Sequence, residues 1–273
     1  MNHRHLALYG LTFNPFTPEV PTDALCRTPA IDHFCWRIDN ALIHEGGFAM
    51  ITGEPGTGKS VALRQLAQRL DAIRDVQVGV ITHPSAKLAD FYRELGDLFG
   101  VELSVHNRWG GFKALRERWL HHLESTRIRP VLLIDEAQEM PPAVLAELRL
   151  LAAMHFDSKL LLTVVMAGDQ RLTNKLRRDE LLPLGSRIRV RLTTEYAKPK
   201  VLRETLDHLL RAAGAPQLMT ESLKNALADH ALGNYRVLTT LASELLDLAA
   251  QRELNQIDEQ LFFECFQPEA RRP

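Results

Sequence analysis

Apolar positions recur along the chain in two rhythms, and the switch between them divides it. Residues 48–52 (Phe-Ala-Met-Ile-Thr) are a short apolar run, the pattern of a strand covered on both faces. Residues 76–81, 131–134, 160–167 and 188–192 repeat it. Helical spacing fills the gaps. Ile31, Phe34, Ile38, Ala41 and Leu42 share one face before Gly46-Gly47 ends the helix. Further helices are expected from about residue 60 through Leu70, over 86–99 and over 110–125. Another opens at Pro141-Pro142 and runs to about His155, with proline at the start, where no amide donor is lost. Strands alternating with helices predict an α/β fold with a parallel sheet flanked by helices. From about residue 197 the strand signal stops, and 198–213, 220–231, 235–252 and 258–265 read as helices. The first residues carry Pro15, Pro18, Pro21 and Pro29 and read as an extended arm. The expected organisation is an arm over 1–30, an α/β domain over 31–196, a small all-helical domain over 197–267 and a tail over 268–273.

Composition narrows the class without naming a function. The 273 residues are 45% apolar and 25% charged, ordinary for a globular chain. Basic residues number 33 and acidic residues 34, so any attraction to nucleic acid must come from a local patch. Cys26, Cys35 and Cys265 form no CxxC, and the eleven histidines form no HExxH, so neither a disulfide framework nor a zinc site is expected. The most apolar stretch, residues 160–168, is far short of the roughly 20 residues of a membrane span. No signal-peptide core opens the chain. A cytoplasmic protein with no membrane contact is the expectation.

The chemistry lies at two strand ends. Residues 53–60, Gly-Glu-Pro-Gly-Thr-Gly-Lys-Ser, match GxxxxGK[ST] in full and sit between a strand and a helix, the context this motif requires. Gly53, Gly56 and Gly58 let the backbone wrap so that amides face a polyphosphate, with the positive end of the next helix behind them. The nucleotide-binding set is therefore Gly53, Glu54, Pro55, Gly56, Thr57, Gly58, Lys59 and Ser60, with the adjoining Val61. Lys59 would neutralise the β- and γ-phosphates of ATP, and the Ser60 hydroxyl would ligate Mg²⁺. The run Val131-Leu132-Leu133-Ile134 leads into Asp135-Glu136. Both carboxylates fall at the carboxyl end of a buried strand, where open α/β sheets bind ligands. Asp135 would hold Mg²⁺, and Glu136 would orient and activate the attacking water.

With these two motifs, a polar tip on the next strand, a Ser-Arg-Ile segment and a Gly-Asn-Tyr-Arg helix start, the chain resembles the AAA+ ATPases, P-loop NTPases with a helical lid. The resemblance spans roughly residues 8–265 and implies three further roles. Asp169, after Val164–Gly168, stands where the family places a γ-phosphate sensor, usually Asn, Thr or Ser. It is equally placed to cap the helix beginning Gln170-Arg171-Leu172. Pro183-Leu184-Gly185-Ser186-Arg187-Ile188 is similar to the segment carrying an arginine finger that acts on a neighbouring subunit's ATP. That implies Arg187, with Arg189 and Arg191 as alternatives, and implies self-assembly. Residues 171–191 hold seven Lys/Arg against two acids, which also suits a solvated basic face or a DNA-facing patch. Arg236, in Gly233-Asn234-Tyr235-Arg236, matches the lid arginine that reaches back to the γ-phosphate.

The opening Tyr9-Gly10-Leu11-Thr12-Phe13-Asn14-Pro15-Phe16 is similar to the start of ExeA-like ATPases, a group that includes transposon ATPases of the TnsC, TniB and IstB kind. The resemblance implies an arm packed near the adenine, although its aromatics could equally anchor it on the core. The chain carries no membrane or peptidoglycan-binding region after the lid, which favours the transposon branch. That branch implies an ATP-dependent homo-oligomer on duplex DNA that supports transposition with a transposase partner. ExeA-like action on a protein partner is the alternative. Residues 106–118 hold His106, Arg108, Lys113, Arg116 and Arg118 against Glu117. Lys113 and Arg116 share a helix face that Arg108 could join, and the resemblance places this region at a DNA-lined pore. A solvated helix face with Phe112, Leu115, Trp119 and Leu123 inward fits the same residues. Phe262, Phe263 and Phe266 are either lid core or a partner surface.

Overall fold

The computed structural model describes residues 3–103, 107–155 and 158–266. In chain order the elements are α1 (His3–Tyr9), α2 (Pro29–Arg37), a π-helical turn at Ile38–Leu42, α3 (Ile43–Glu45), β1 (Gly47–Gly53), α4 (Lys59–Asp71), β2 (Val76–Ile81), α5 (Leu88–Phe99), α6 (Arg108–His121), a second π turn at His122–Thr126, and β3 (Arg129–Ile134). They continue with a 3-10 turn at Ala137–Glu139, α7 (Pro142–Ala152), β4 (Ala153–Met154), β5 (Lys159–Leu160), β6 (Thr163–Gly168), α8 (Gln170–Leu176), α9 (Leu182–Gly185) and β7 (Ile188–Thr194). Last come α10 (Pro199–Ala212), α11 (Glu221–His230), α12 (Tyr235–Gln251) and α13 (Glu259–Phe266).

The chain divides into two compact units: Thr28–Glu54 with Lys59–Thr194, and Met1–Arg27 with Pro55–Gly58 and Glu195–Pro273. The first is built on a five-stranded sheet in the order β2-β3-β6-β1-β7, parallel throughout. Successive side chains sort to opposite faces, as strand geometry requires. Phe48 and Met50, Leu132 and Ile134, and Val164 and Met166 pack with Phe91, Phe99 and Trp119 on one side. Ala49 and Ile51, Val131 and Leu133, and Val165 and Ala167 pack with Phe34, Leu66 and Leu70 on the other. Burial on both faces explains why these strands read as unbroken apolar runs. In register, Thr52 lies beside Gly168 and Ile134 beside Met166, so β1 and β6 reach the same end of the sheet and β3 stops two residues before β6 does.

In the second unit Leu202, Leu206, Leu210, Leu223, Leu227, Leu238, Leu245 and Leu246 form a helical core. The arm belongs to this core: Leu11 and Phe16 are buried in it, with Leu6, Tyr9 and Phe13 packed against it. Thr12 N–H donates to Ala213 O at 2.9 Å.

Three expectations about elements change. The arm is not wholly extended: His3–Tyr9 is helical, closed by Gly10 at φ +64° with Leu11 N–H donating to Leu6 O at 2.9 Å. The helix opened by proline stops at Ala152 rather than His155, because Ala153–Met154 pairs antiparallel with Lys159–Leu160. Leu160 therefore belongs to that hairpin, and the parallel strand begins at Thr163.

Candidate nucleotide site and the basic face

The phosphate loop follows β1. Gly56 and Gly58 sit at φ +80° and +97°, where a side-chain-bearing residue would be strained, so glycine is a conformational requirement there. Loops with glycines at positive φ are of the kind whose backbone amides can gather on an anion. α4 starts at Lys59, directly behind the loop. Lys59 is only 7% exposed, and its ammonium donates to Glu54 O at 3.1 Å, with no carboxylate partner among the described residues. A buried cation without a counter-charge is costly unless an anion joins it. The donor set therefore fits a polyphosphate. Ser60 is exposed on the first turn of α4 and Asp135 is half-buried after β3, both oxygen donors of the type Mg²⁺ takes.

The loop tip is also held by the start of α12. Asn234 caps that helix, its Oδ1 accepting from Arg236 N–H at 2.9 Å and Val237 N–H at 3.2 Å. Its Nδ2 donates to Pro55 O at 3.2 Å, and Tyr235 N–H donates to Gly56 O at 2.9 Å. A Cβ on Gly56 would fall 2.0 Å from Asn234 Oδ1. The sequence marks Arg236 in this segment; the structure adds Asn234 as the residue that binds the loop. Arg236 itself is exposed.

At the end of β3, Glu136 adopts a left-handed backbone, φ +49° and ψ +38°, and its N–H donates to Asp135 Oδ1 at 2.9 Å. Non-glycine residues in this region concentrate at functional sites. Glu136 is exposed and one carboxylate oxygen accepts from Gln138 Nε2. Gln138 escaped the sequence reading. Its only sequence signal is a polar residue two places after the acid pair, at a position the fold buries.

Asp169 caps α8, its Oδ1 accepting from Arg171 N–H at 2.8 Å, and its Oδ2 pairs with Arg171 Nε at 2.8 Å. The side chain thus performs the capping role that the sequence left open. Of the three candidate finger arginines, Arg187 donates to Pro183 O, Arg189 pairs with Glu45 at 2.5 Å, and Arg191 donates to Gly185 O at 3.2 Å.

The structure revises the basic face. His106 lies outside the described residues. Arg108 is bidentate on Glu147, a carboxylate buried to 3% exposure that also accepts from Tyr92 Oη at 2.5 Å. Burial, then Glu147, pushes the Tyr92 phenol above its ordinary range. Arg116 donates to the last carbonyls of α7, Leu150 O at 2.8 Å and Leu151 O at 3.3 Å, and also to Ala153 O. Its guanidinium stacks over Phe112 at 5.1 Å, and burial lowers its pKa. Lys113 makes an exposed i,i+4 pair with Glu117 at 3.6 Å. Two of the three proposed phosphate-binding heads are therefore committed within the fold. They border a groove of about 910 Å³ whose floor is apolar, with Phe112, Leu150, Met154 and Leu161, and whose rim carries Trp109 at 72% exposure.

Comparison with known proteins agrees with this architecture. Residues 42–176 match the family model described as AAA domain. The chain is 33% identical over 187 residues to General secretion pathway protein A of Aeromonas hydrophila, an alignment covering 67% of this chain and 33% of that protein. The chain thus matches about a third of the length of this curated relative. Among solved structures, Cdc6p from Pyrobaculum aerophilum aligns with a TM-score of 0.70 at 18% identity, covering 89% of this chain and 67% of that one. The Aeropyrum pernix ORC1 protein in complex with DNA aligns at 0.69 and 18%, covering 92% and 67%. The Thermotoga maritima RuvB Holliday junction branch migration motor aligns at 0.59 and 14%, covering 92% and 72%. At these identities the solved structures establish the fold alone. The fold is thus that of a P-loop AAA+ protein with helices after the sheet; residues 42–176 are similar to the AAA domain family, and the chain is similar to General secretion pathway protein A.

Proposed function

We propose that the chain binds ATP with Mg²⁺, hydrolyses it to ADP and phosphate, and uses the cycle to act on a protein partner. The observation that carries the ATP reading is Lys59, a buried ammonium without an acid partner among the described residues, next in the chain to glycines held at positive φ. In this reading residues Gly53 to Val61 hold the triphosphate. Ser60 and Asp135 hold Mg²⁺, which neutralises charge on the phosphates. Glu136 accepts a proton from the attacking water and aligns it. Arg187 serves a neighbouring subunit's site in an ATP-dependent homo-oligomer, with Arg189 and Arg191 as alternatives. Asp169 and Arg236 respond to the γ-phosphate.

The protein-partner reading draws on the similarity to General secretion pathway protein A, and on the commitment of Arg108 and Arg116 to internal acceptors beside an apolar groove. The second reading, duplex-DNA binding in support of transposition with a transposase partner, keeps one observation in its favour: seven basic residues against two acids over 171–191. Light scattering and duplex-DNA binding by Glu136→Gln protein, with ATP, with ADP and without nucleotide across a salt series, separate the two. ATP-driven oligomers that ignore DNA in every state support a protein partner. ATP-dependent binding that weakens steeply with salt would instead support DNA.

A further inference from the structure

Gln138 is 4% exposed, and each end of its amide is spoken for. Its Nε2 donates to the Glu136 carboxylate, and its Oε1 accepts from the backbone N–H of Asp169 at 3.2 Å. The two partners sit at the ends of neighbouring strands, β3 and β6. The surroundings are fitted to this placement. Lys175 Nζ donates to Gln138 O at 2.5 Å and Met140 O at 2.8 Å, pinning the turn on both sides. Gly168 has an ordinary backbone, yet a Cβ there would fall 2.6 Å from Gln138 Oε1 and 2.9 Å from Leu172 Cδ2. Glycine is needed at 168 for space, and part of that space belongs to Gln138.

We infer that Gln138 is a positioning residue: it fixes the Glu136 carboxylate and links it to the backbone at Asp169. This rests on the proposed reading of Glu136 as the group that activates water. The chemical reason is directional. A carboxylate on an exposed, left-handed residue has free rotamers, and a single N–H donor from a buried, doubly anchored amide selects one of them. Because the same amide reads the Asp169 N–H, a shift of the β6 tip moves the Glu136 carboxylate with it. Gln138 acts through Glu136 and not by touching nucleotide or the attacking water.

The test compares Gln138→Met, which keeps length and apolar volume but donates nothing, with Gln138→Glu, which keeps shape but sets a carboxylate against Glu136. The readouts are steady-state hydrolysis at saturating Mg-ATP, affinity for a fluorescent ATP analogue, and thermal melting. Expected for Gln138→Met is analogue affinity within about 2-fold of the parent and kcat lower by on the order of 10–100-fold. Gln138→Glu should be slower still. A residue that only fills space would leave kcat at the parental rate in Gln138→Met, which keeps the volume and loses only the amide. Gly168→Ala should lower kcat in the same way, with binding retained. Parental kcat in Gln138→Met, while Glu136→Gln is inactive, overturns the positioning role alone. Parental kcat in Glu136→Gln removes the reading of Glu136, and the positioning role falls with it. If Gln138→Met does not fold, Gln138→Leu takes its place: lost rate at retained affinity supports the role, and parental rate overturns it.

Discussion

Arg108→Ala separates an arginine that serves the fold from one that serves a nucleic acid. Arg108 places two guanidinium nitrogens on Glu147, and the Glu147 side chain is only 3% exposed. Removing the cation leaves a buried carboxylate with the Tyr92 hydroxyl as its remaining hydrogen-bond donor among the described residues. Breaking a buried ion pair from one side costs about 3–5 kcal/mol. The Arg108 side chain is 61% exposed, so water can reach part of the vacated site, and the Tyr92 bond persists. Together these reduce the expected cost to about 2–3 kcal/mol, a large share of the roughly 5–15 kcal/mol that holds a native protein together. At roughly 2–4 °C per kcal/mol for a chain of this size, the thermal midpoint should fall by about 4–12 °C. Lys113→Ala is the control: its pair with Glu117 is fully on the surface, and the change should stay within about 0.5 kcal/mol. Arg108→Met with Glu147→Gln removes both charges, keeps an acceptor for the Tyr92 hydroxyl and should recover most of the loss. The assay is thermal and urea unfolding of the four proteins. If Arg108→Ala unfolds within about 0.5 kcal/mol of the parent, the internal role is wrong and Arg108 is free for an external ligand.

Two further outcomes follow from particular contacts. Asn234→Ala removes the α12 cap and the bond to Pro55, so stability should fall by about 1–2 kcal/mol, measured by denaturant unfolding; no change would mean the cap is idle. Both ring nitrogens of His122 are buried without a hydrogen-bond partner among the described residues, and burial, then Arg118 and His121, hold its pKa below the ordinary 6.5. The unfolded chain therefore takes up this proton first as pH falls. The contribution is complete above about pH 6.5 and is lost progressively as pH drops toward the folded value. His122→Phe should flatten that acid-side decline in melting temperature, and an unchanged pH slope would refute it.

The parts of the fold legible in sequence are those where a single physical demand dominates. A strand buried on both faces must be apolar throughout, so β1, β3 and β6 announce themselves, and the glycines and lysine of the phosphate loop follow from the anion they fit. The short helix His3–Tyr9 was hidden because prolines after it set the reading of the whole arm. The β4–β5 hairpin was hidden because two-residue strands leave no periodicity. The internal contacts of the basic face are not legible in the sequence for a different reason. Charge count along α6 says nothing of Glu147 or of the α7 carbonyls, which lie more than thirty positions away and reach Arg108 and Arg116 only once the chain has folded. Gln138 is the same case at shorter range: its meaning depends on Asp169, brought beside it by the pairing of β3 with β6.

The proposed function places ATP hydrolysis at the loop and acid pair formed by Lys59, Asp135 and Glu136. The most direct measurement is Mg-dependent ATP turnover by Glu136→Gln, paired with nucleotide binding by the same protein. Affinity should stay within about 3-fold of the parent and turnover should fall by on the order of 10²–10⁴, the usual worth of a positioned general base. Turnover at the parental rate with nucleotide bound would contradict it.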